Sequence, residues 1–193
     1  MNAFLLSIAH NLSRLLDFRG RETQILFWPY AGFIFGLATV VTTGLIMIPI
    51  MEMAANMMQQ IAVAAQQGGG AEPAFLKSPE LLMPDFGGLV LPTVAVNLVM
   101  IALLAASIAR RLHDKDRSGF WGLLPLPSML IGFALMPRTL AGMYSNAEPD
   151  PLVALAMLNS FLTYGLLILL VVMLVGKGSE GPNRFGGALP AAA

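Results

Sequence analysis

Four long runs of apolar residues without a charge limit what this chain can fold into. Each has about 18 residues or more, enough for a helix rising about 1.5 Å per residue to cross roughly 30 Å of hydrocarbon. They cover residues 25–50, 89–109, 120–137 and 153–175. Soluble domains are about a quarter charged, whereas this chain is 11% charged with a mean hydropathy of +0.73. We therefore predict an all-α integral membrane protein with four transmembrane helices.

The four runs define a membrane domain at 25–176, which is preceded by residues 1–24, contains a long connection at 51–88 and is followed by residues 177–193. Residues 1–24 begin with apolar residues at helical spacing, which indicates an amphipathic helix in the membrane interface or a helix packed on other protein. Residues 51–88 start with good helix formers, so the first helix is expected to continue beyond the membrane as far as GGG at 68–70, with a loop after it. Residues 177–193 form a tail whose end, GGALPAAA, is expected to be disordered.

The basic residues are divided unequally between the two sides that four crossings define. Nine of the eleven lysines and arginines fall before the first run, in the loop at 110–119 or in the tail, while Lys77 and Arg138 fall on the other side. The positive-inside rule then places both termini in the cytoplasm and residues 51–88 on the opposite side of the membrane. The net charge of zero gives no reason to expect nucleic acid as a partner, and the absence of cysteine excludes thiolate metal sites.

Three stretches beside the ends of these runs carry most of the distinctive residues: DFRGRETQILFWPY at 17–30, RRLHDKDRSGFW at 110–121 and GSEGPNRFG at 178–186. In order and spacing they resemble the motifs of the small bacterial inner-membrane proteins known as the domain of unknown function 805 family. The second and third motifs match completely. The first departs from the family pattern, because Gln24 and Leu26 stand where the family has arginine and glutamate. The resemblance covers about residues 15–187 and implies an inner-membrane protein, but it implies no activity.

The polar residues of these motifs are our candidates for a headgroup or partner site. Arginine binds phosphate through paired hydrogen bonds, and each basic residue beside a membrane contributes on the order of 1 kcal/mol toward anionic lipid. We expect the five arginines of this set to converge into one pocket, and the candidates are Arg21, Arg110, Arg111, His113, Asp114, Arg117, Asn183 and Arg184. If the second span continues as a helix, Arg110, Asp114 and Arg117 share a face. A purely topogenic role, with arginines reaching to the headgroups and acids paired to them, explains the same residues.

Aromatic residues lie at the same span ends. Aromatic side chains with a polar edge are enriched at the headgroup level of a membrane, so we predict interfacial anchors at Trp28, Tyr30, Phe120 and Trp121. Ser118 is expected to cap the helix that follows it. Pro125 and Pro127 predict irregular first turns in that helix.

The function best supported by the sequence is non-catalytic: a scaffold or accessory subunit whose basic cytoplasmic rim binds a protein partner or anionic lipid headgroups, with self-association left open. The alternative is a membrane-surface enzyme or transporter component acting on a phosphate-containing ligand, with His113 as general base beside Asp114 or Asp116. Those two acids would face different sides of a helix, and the spans hold no charge, which disfavours catalysis and ion transport. No metal or cofactor is predicted, because the methionines between 47 and 58 suit flexible packing better than copper(I) binding.

Overall fold

The computed structural model of the chain describes residues 2–67, 72–77, 86–144 and 151–187. The described residues are 79% helical, and no strand occurs among them. Short 3₁₀ helices occur at Gly87–Leu89 and Gly119–Leu123. The α-helices are α1 (Ala3–Leu12), α2 (Gln24–Gln67), α3 (Ala74–Lys77), α4 (Val90–Asp114), α5 (Leu126–Tyr144) and α6 (Pro151–Leu174).

Within the described ranges, four helical segments are long and apolar enough to cross a membrane. They are α2, α4 with its preceding 3₁₀ turn, α5 with its preceding 3₁₀ turn, and α6. The predicted fold class, an all-α protein with four transmembrane helices, is thereby confirmed. Three predicted features lie outside the described residues: the glycines at 68–70, most of the loop after them, and the end of the tail from 188 onward.

Helix α1 packs on α2 through its polar side. Ser7 and Asn11 are buried and donate hydrogen bonds to the Leu26 carbonyl at 2.5 and 3.1 Å. On the same face, the rings of Phe4 and Phe33 of α2 pack edge to face, with ring centroids 6.2 Å apart. The apolar residues Leu5, Leu6 and Leu12 stay exposed. The helix therefore packs on α2 through Ser7, Asn11 and Phe4, as the alternative of a helix packed on other protein expects, while several of its apolar residues remain exposed.

The helix bounds differ from the apolar runs in two places. Helix α2 continues without a break through Pro49 to Gln67, as the helix formers after residue 50 indicate. Helix α5 begins only at Leu126, after the 3₁₀ turn, and continues past Pro137 to Tyr144. Ser118 caps the 3₁₀ turn, because its hydroxyl accepts a hydrogen bond from the backbone N–H of Phe120 at 3.4 Å. The prolines thus delay the α-helical geometry at the start of the third span, as expected.

The buried apolar core lies near one end of the bundle. Phe27 of α2, Leu112 of α4, and Leu170, Met173 and Leu174 of α6 form one cluster. Tyr30 is buried above it, and its hydroxyl donates to the Leu103 carbonyl of α4 at 2.9 Å. Elsewhere, Asn159 of α6 donates to the Ser128 carbonyl of α5 at 3.0 Å and joins those two helices. The core cluster thus brings the ends of α2, α4 and α6 together directly beneath the charged motifs.

Candidate functional site

The three sequence motifs meet at the end of the bundle beside the core cluster. Five charged side chains are buried there, and we call them the polar cap: Arg21, Glu22, Arg110, Arg111 and Asp114. Arg110 and Arg111 are completely buried. Arg21 and Glu22 lie just before α2, while the other three come from the last turns of α4. Because charges this deeply buried are tolerated only when paired and hydrogen-bonded, their partners decide what the cap can do.

Arg110 and Glu22 form the first ion pair of the cap. Arg110 donates to Glu22 Oε2 from Nε at 2.7 Å, and Ser107 donates to the other carboxylate oxygen at 3.0 Å. The remaining guanidinium donors of Arg110 reach the N-terminal segment: Nη2 donates to Asn11 Oδ1 at 2.6 Å, and Nη1 to the carbonyls of Arg14 and Asp17 at 3.0 and 2.5 Å. The whole guanidinium is occupied by protein, so it holds α1 and its loop against α4.

Asp114 is shared by the other two arginines. Its Oδ1 accepts from Arg21 Nε and Nη2 at 3.1 and 2.9 Å, and its Oδ2 accepts from Arg111 Nη1 at 2.5 Å. Arg111 also donates to the carbonyls of Leu174 and Gly176 at the end of α6. One carboxylate thus compensates two buried guanidinium groups.

The segment after α6 covers Asp114 and its two arginines, and its backbone carbonyls point toward Arg21. Arg21 donates to the carbonyls of Ser179, Gly181 and Gly187 at 2.7, 2.6 and 3.1 Å. Asn183 donates to the His113 carbonyl at 2.9 Å, so the third motif is tied to the second. Gly181 has φ +77°, a left-handed conformation that glycine adopts without strain. We call residues 175–187 the C-terminal strap, because three motifs are joined through it.

Gly178 lies directly against the Asp114 carboxylate. A Cβ built there would come within 3.0 Å of three Asp114 atoms, which is closer than real side chains approach. We therefore expect Gly178→Ala to displace the strap or the carboxylate and to lower stability by about 1–3 kcal/mol, the usual range for overpacking. Thermal unfolding of the detergent-solubilised protein measures this. Gly187→Ala is the matched control, since a Cβ there meets nothing within 4 Å, and equal losses for the two variants would contradict the close approach.

His113 is held by a backbone carbonyl and an aromatic ring. Its Nδ1 lies 3.1 Å from the Gly20 carbonyl oxygen, and its ring stacks on Phe185 at 3.9 Å with an interplanar angle of 7°. Asp114 is occupied by Arg21 and Arg111, and Asp116 pairs with Arg184 at 3.2 Å. Neither acid therefore orients the imidazole. The described residues also contain no group of three His, Cys, Asp or Glu side chains placed to hold a metal ion.

The structure brings only three of the five candidate arginines into one cluster. Helix α4 ends at Asp114, so Arg117 does not share a face with Arg110 and Asp114 as the continued helix would require. Arg117 is exposed, and its side chain makes no hydrogen bond or ion pair within the described parts of the chain. Arg184 is exposed too, in its pair with Asp116 and beside the Phe185 ring. The expected single pocket is thus divided into a buried cap and separate surface cations.

Contacts at the edge of the cap hold its connecting segments. Arg14 donates to Asp17 from Nη2 at 2.7 Å, and this hydrogen bond keeps the pKa of the Asp17 carboxyl below its usual value. His10 lies beside Arg14, and burial lowers the pKa of its imidazole. Lys115 donates to the Val175 carbonyl, and partial burial lowers the pKa of its ammonium. These contacts fix the loop after α1 and the start of the strap.

The predicted interfacial aromatics separate into two groups. Trp28, Phe120 and Trp121 are exposed beside the cap, with Phe120 80% accessible, as an anchor in the headgroup region requires. Tyr30 differs from the expectation, because it is buried between α2 and α4 with its hydroxyl bonded to Leu103. It stabilises a helix contact instead of meeting lipid.

Sequence reasoning missed four residues that complete the cap. Glu22 balances Arg110, and the other three are polar: Asn11 accepts from Arg110, Ser107 donates to Glu22, and Ser179 donates to the backbone carbonyl of Asp114. Glu22 had a signal, since an acid directly following Arg21 in a chain with so few charges suggests pairing. Asn11 and Ser107 stand in apolar helical runs, where nothing local distinguishes them from residues that bond their own helix.

Fold and site together define a multi-pass α-helical membrane protein closed at one end by a buried ion network. A family model described as "Protein of unknown function (DUF805)" matches residues 15–187, and the chain belongs to that family. No curated protein and no solved structure matches the chain.

Proposed function

We propose that the protein is a non-catalytic scaffold or accessory subunit of the bacterial inner membrane, and that cations around its cytoplasmic polar cap bind anionic lipid headgroups. The observation that carries this proposal is the division of the basic residues into two populations. Arg21, Arg110 and Arg111 are buried and donate to carboxylates and carbonyls of the protein itself. Arg19, Arg117 and Lys177 are exposed at the same end.

The buried arginines hold together the segments that carry the exposed cations. The guanidinium groups of the cap donate their hydrogen bonds within the protein, between α1, α4 and the strap, so few N–H donors remain for a ligand. A rigid arrangement of this kind places the exposed cations at fixed positions around it. Rigid placement favours binding, because less side-chain freedom is lost when a headgroup arrives.

The exposed population has the chemistry that a phospholipid headgroup requires. Arg19 and the ion pair of Arg14 with Asp17 line an open cavity of about 610 Å³ together with two exposed apolar residues, Leu16 and Phe18. Cationic donors for phosphate and apolar side chains for the upper acyl chain therefore lie side by side. Arg117 stands next to the exposed aromatic pair Phe120 and Trp121, which repeats the same combination. The nine-to-two bias of basic residues supports a cytoplasmic position for this end.

Native mass spectrometry tests the proposal on protein reconstituted in liposomes of phosphatidylglycerol and phosphatidylcholine, then released in mild detergent. We expect Arg19→Ala and Arg117→Ala each to weaken phosphatidylglycerol retention about fivefold, since each cation contributes about 1 kcal/mol. Neither change touches the cap, so the folded state should persist.

Arg138→Ala is the matched control, because it removes one exposed cation from a different part of the bundle, within α5. Retention should be unchanged in this variant. If all three variants lose lipid equally, or if none does, the exposed cations beside the cap are not a headgroup site. Unchanged lipid retention with loss of a co-purifying protein would instead identify the rim as a protein-docking surface and overturn the headgroup proposal.

A further inference from the structure

Helix α2 is far longer than a membrane is thick. Its 44 residues extend about 66 Å at roughly 1.5 Å per residue, against a hydrocarbon thickness of about 30 Å. The first part of α2 lies against α4, as the bond from Tyr30 to Leu103 shows. Residues 51–67 continue for about a further 25 Å. Among the described residues they are approached there by the short helix α3, whose Phe75 N–H donates to Gln60 Oε1 at 3.1 Å.

This projecting part of α2 carries an apolar stripe at alternating spacings of three and four residues. The stripe consists of Met51, Ala54, Met58, Ile61 and Ala65, and all five are exposed. Met51 and Met58 are 67% and 73% accessible. Spacings of three and four are those of the a and d positions in a coiled coil. In water, a row of this kind is stabilised only when another surface covers it.

The polar residues of the same segment avoid the stripe completely. Between 51 and 66 they are Glu52, Asn56, Gln59, Gln60 and Gln66. With Met51 at position a, every one of them falls at b, c or f, the outward positions of a coiled coil. Gln60, which is at an outward position, contacts α3, so α3 lies away from the stripe. Met53 and Val63 are apolar at outward positions, but no polar residue between 51 and 66 falls at a or d, and this restriction points to a helix partner along the stripe.

We propose that this stripe pairs with the same stripe of a second copy of the chain, forming a parallel coiled coil outside the membrane. Two copies inserted in one membrane share orientation and depth, so the same residues face each other without any adjustment. The only charge between 51 and 66 is Glu52, at an outward position, so no like charges meet in the seam. The heptad pattern also continues into the predicted span, where the exposed residues Met47, Gly44 and Val40 take the next d, a and d positions.

Disulfide trapping tests this pairing directly, because the chain has no cysteine of its own. Met51→Cys and Met58→Cys place thiols in the seam, while Asn56→Cys and Gln59→Cys place them on the outer face of the same helix turns. A disulfide requires Cα atoms within about 7 Å. On oxidation in native membranes, we expect the two seam variants to form mostly covalent dimers and the two outer variants to remain monomeric.

A second variant separates the coiled coil from random collision. Met58→Glu, combined with Met51→Cys, brings two carboxylates together in the seam and should lower the trapped dimer at least fivefold, whereas Asn56→Glu in the same background should leave it unchanged. Equal trapping at seam and outer positions would overturn the proposal. So would the absence of trapping together with a blue-shifted environment-sensitive dye at Met58→Cys, since the stripe would then lie on the membrane surface.

Discussion

Asp114→Ala is expected to destabilise the protein by about 3–5 kcal/mol, the range for removing one partner of a buried ion pair. The reason is that this carboxylate compensates Arg21 and Arg111 together, and both guanidinium groups are buried. Its removal would leave two cations without a counter-charge at a site that water does not reach. Chemical unfolding in a mild, non-ionic detergent measures the loss, with helix content followed by circular dichroism.

The matched control is Asp116→Asn, two residues away, because Asp116 has φ +54° and asparagine tolerates that left-handed conformation while removing the charge. Its partner Arg184 is 62% exposed and Asp116 itself 52%, so this pair should contribute only about 0–1 kcal/mol. Similar losses for Asp114→Ala and Asp116→Asn would mean that burial does not set the strength of these pairs. The polar cap would then not be the structural centre that its contacts suggest.

Glu22→Ala is the second substitution for which we expect a large effect, again about 3–5 kcal/mol. Glu22 is the only carboxylate that pairs with the completely buried Arg110 in the described structure, and it also accepts from Ser107. The alanine variant leaves both donors unsatisfied. Glu22→Gln retains one acceptor oxygen without the charge, so the difference between Gln and Ala separates hydrogen bonding from charge compensation.

Glu180→Ala serves as the control for Glu22→Ala, because Glu180 is an exposed acid of the strap. It should unfold at nearly the same denaturant concentration as the unmodified protein.

A double change of Glu22 and Arg110 to apolar residues tests the same pair further. Full rescue is not expected, since Arg110 also holds the Arg14 and Asp17 carbonyls, which would lose their donor. A fully stable double variant would contradict that bridging role.

The transmembrane architecture was predictable because it depends on local composition alone. An uncharged apolar run of sufficient length must form a helix in hydrocarbon, where every backbone group needs an internal partner. The extension of α2 to Gln67 and the capping of the 3₁₀ turn by Ser118 followed from propensities of a few neighbouring residues. These features need no knowledge of how the helices pack.

The pairing inside the cap was not predictable in the same way. Helical spacing suggested that Arg110 faces Asp114, but Asp114 pairs with Arg111 three residues away and with Arg21, 93 residues away. Arginine is normally exposed, so residue type alone pointed to a ligand site instead of a buried network. One sign was present: acids alternate with the basic residues of the second motif, which a surface that only attracts lipid would not need.

The hydrogen bonds between Arg21 and the strap limit when this end of the protein can fold during biosynthesis. The hydrogen bond from Arg21 to the Gly187 carbonyl joins positions separated by 166 residues, so the network cannot close until residue 187 has been translated. Until the strap is present, Arg21 lacks its three carbonyl acceptors and Arg111 lacks that of Gly176, so these donors must stay hydrated. A polypeptide that ends at residue 174 would contain α1 to α6 without the strap, and the buried end of the bundle would remain open.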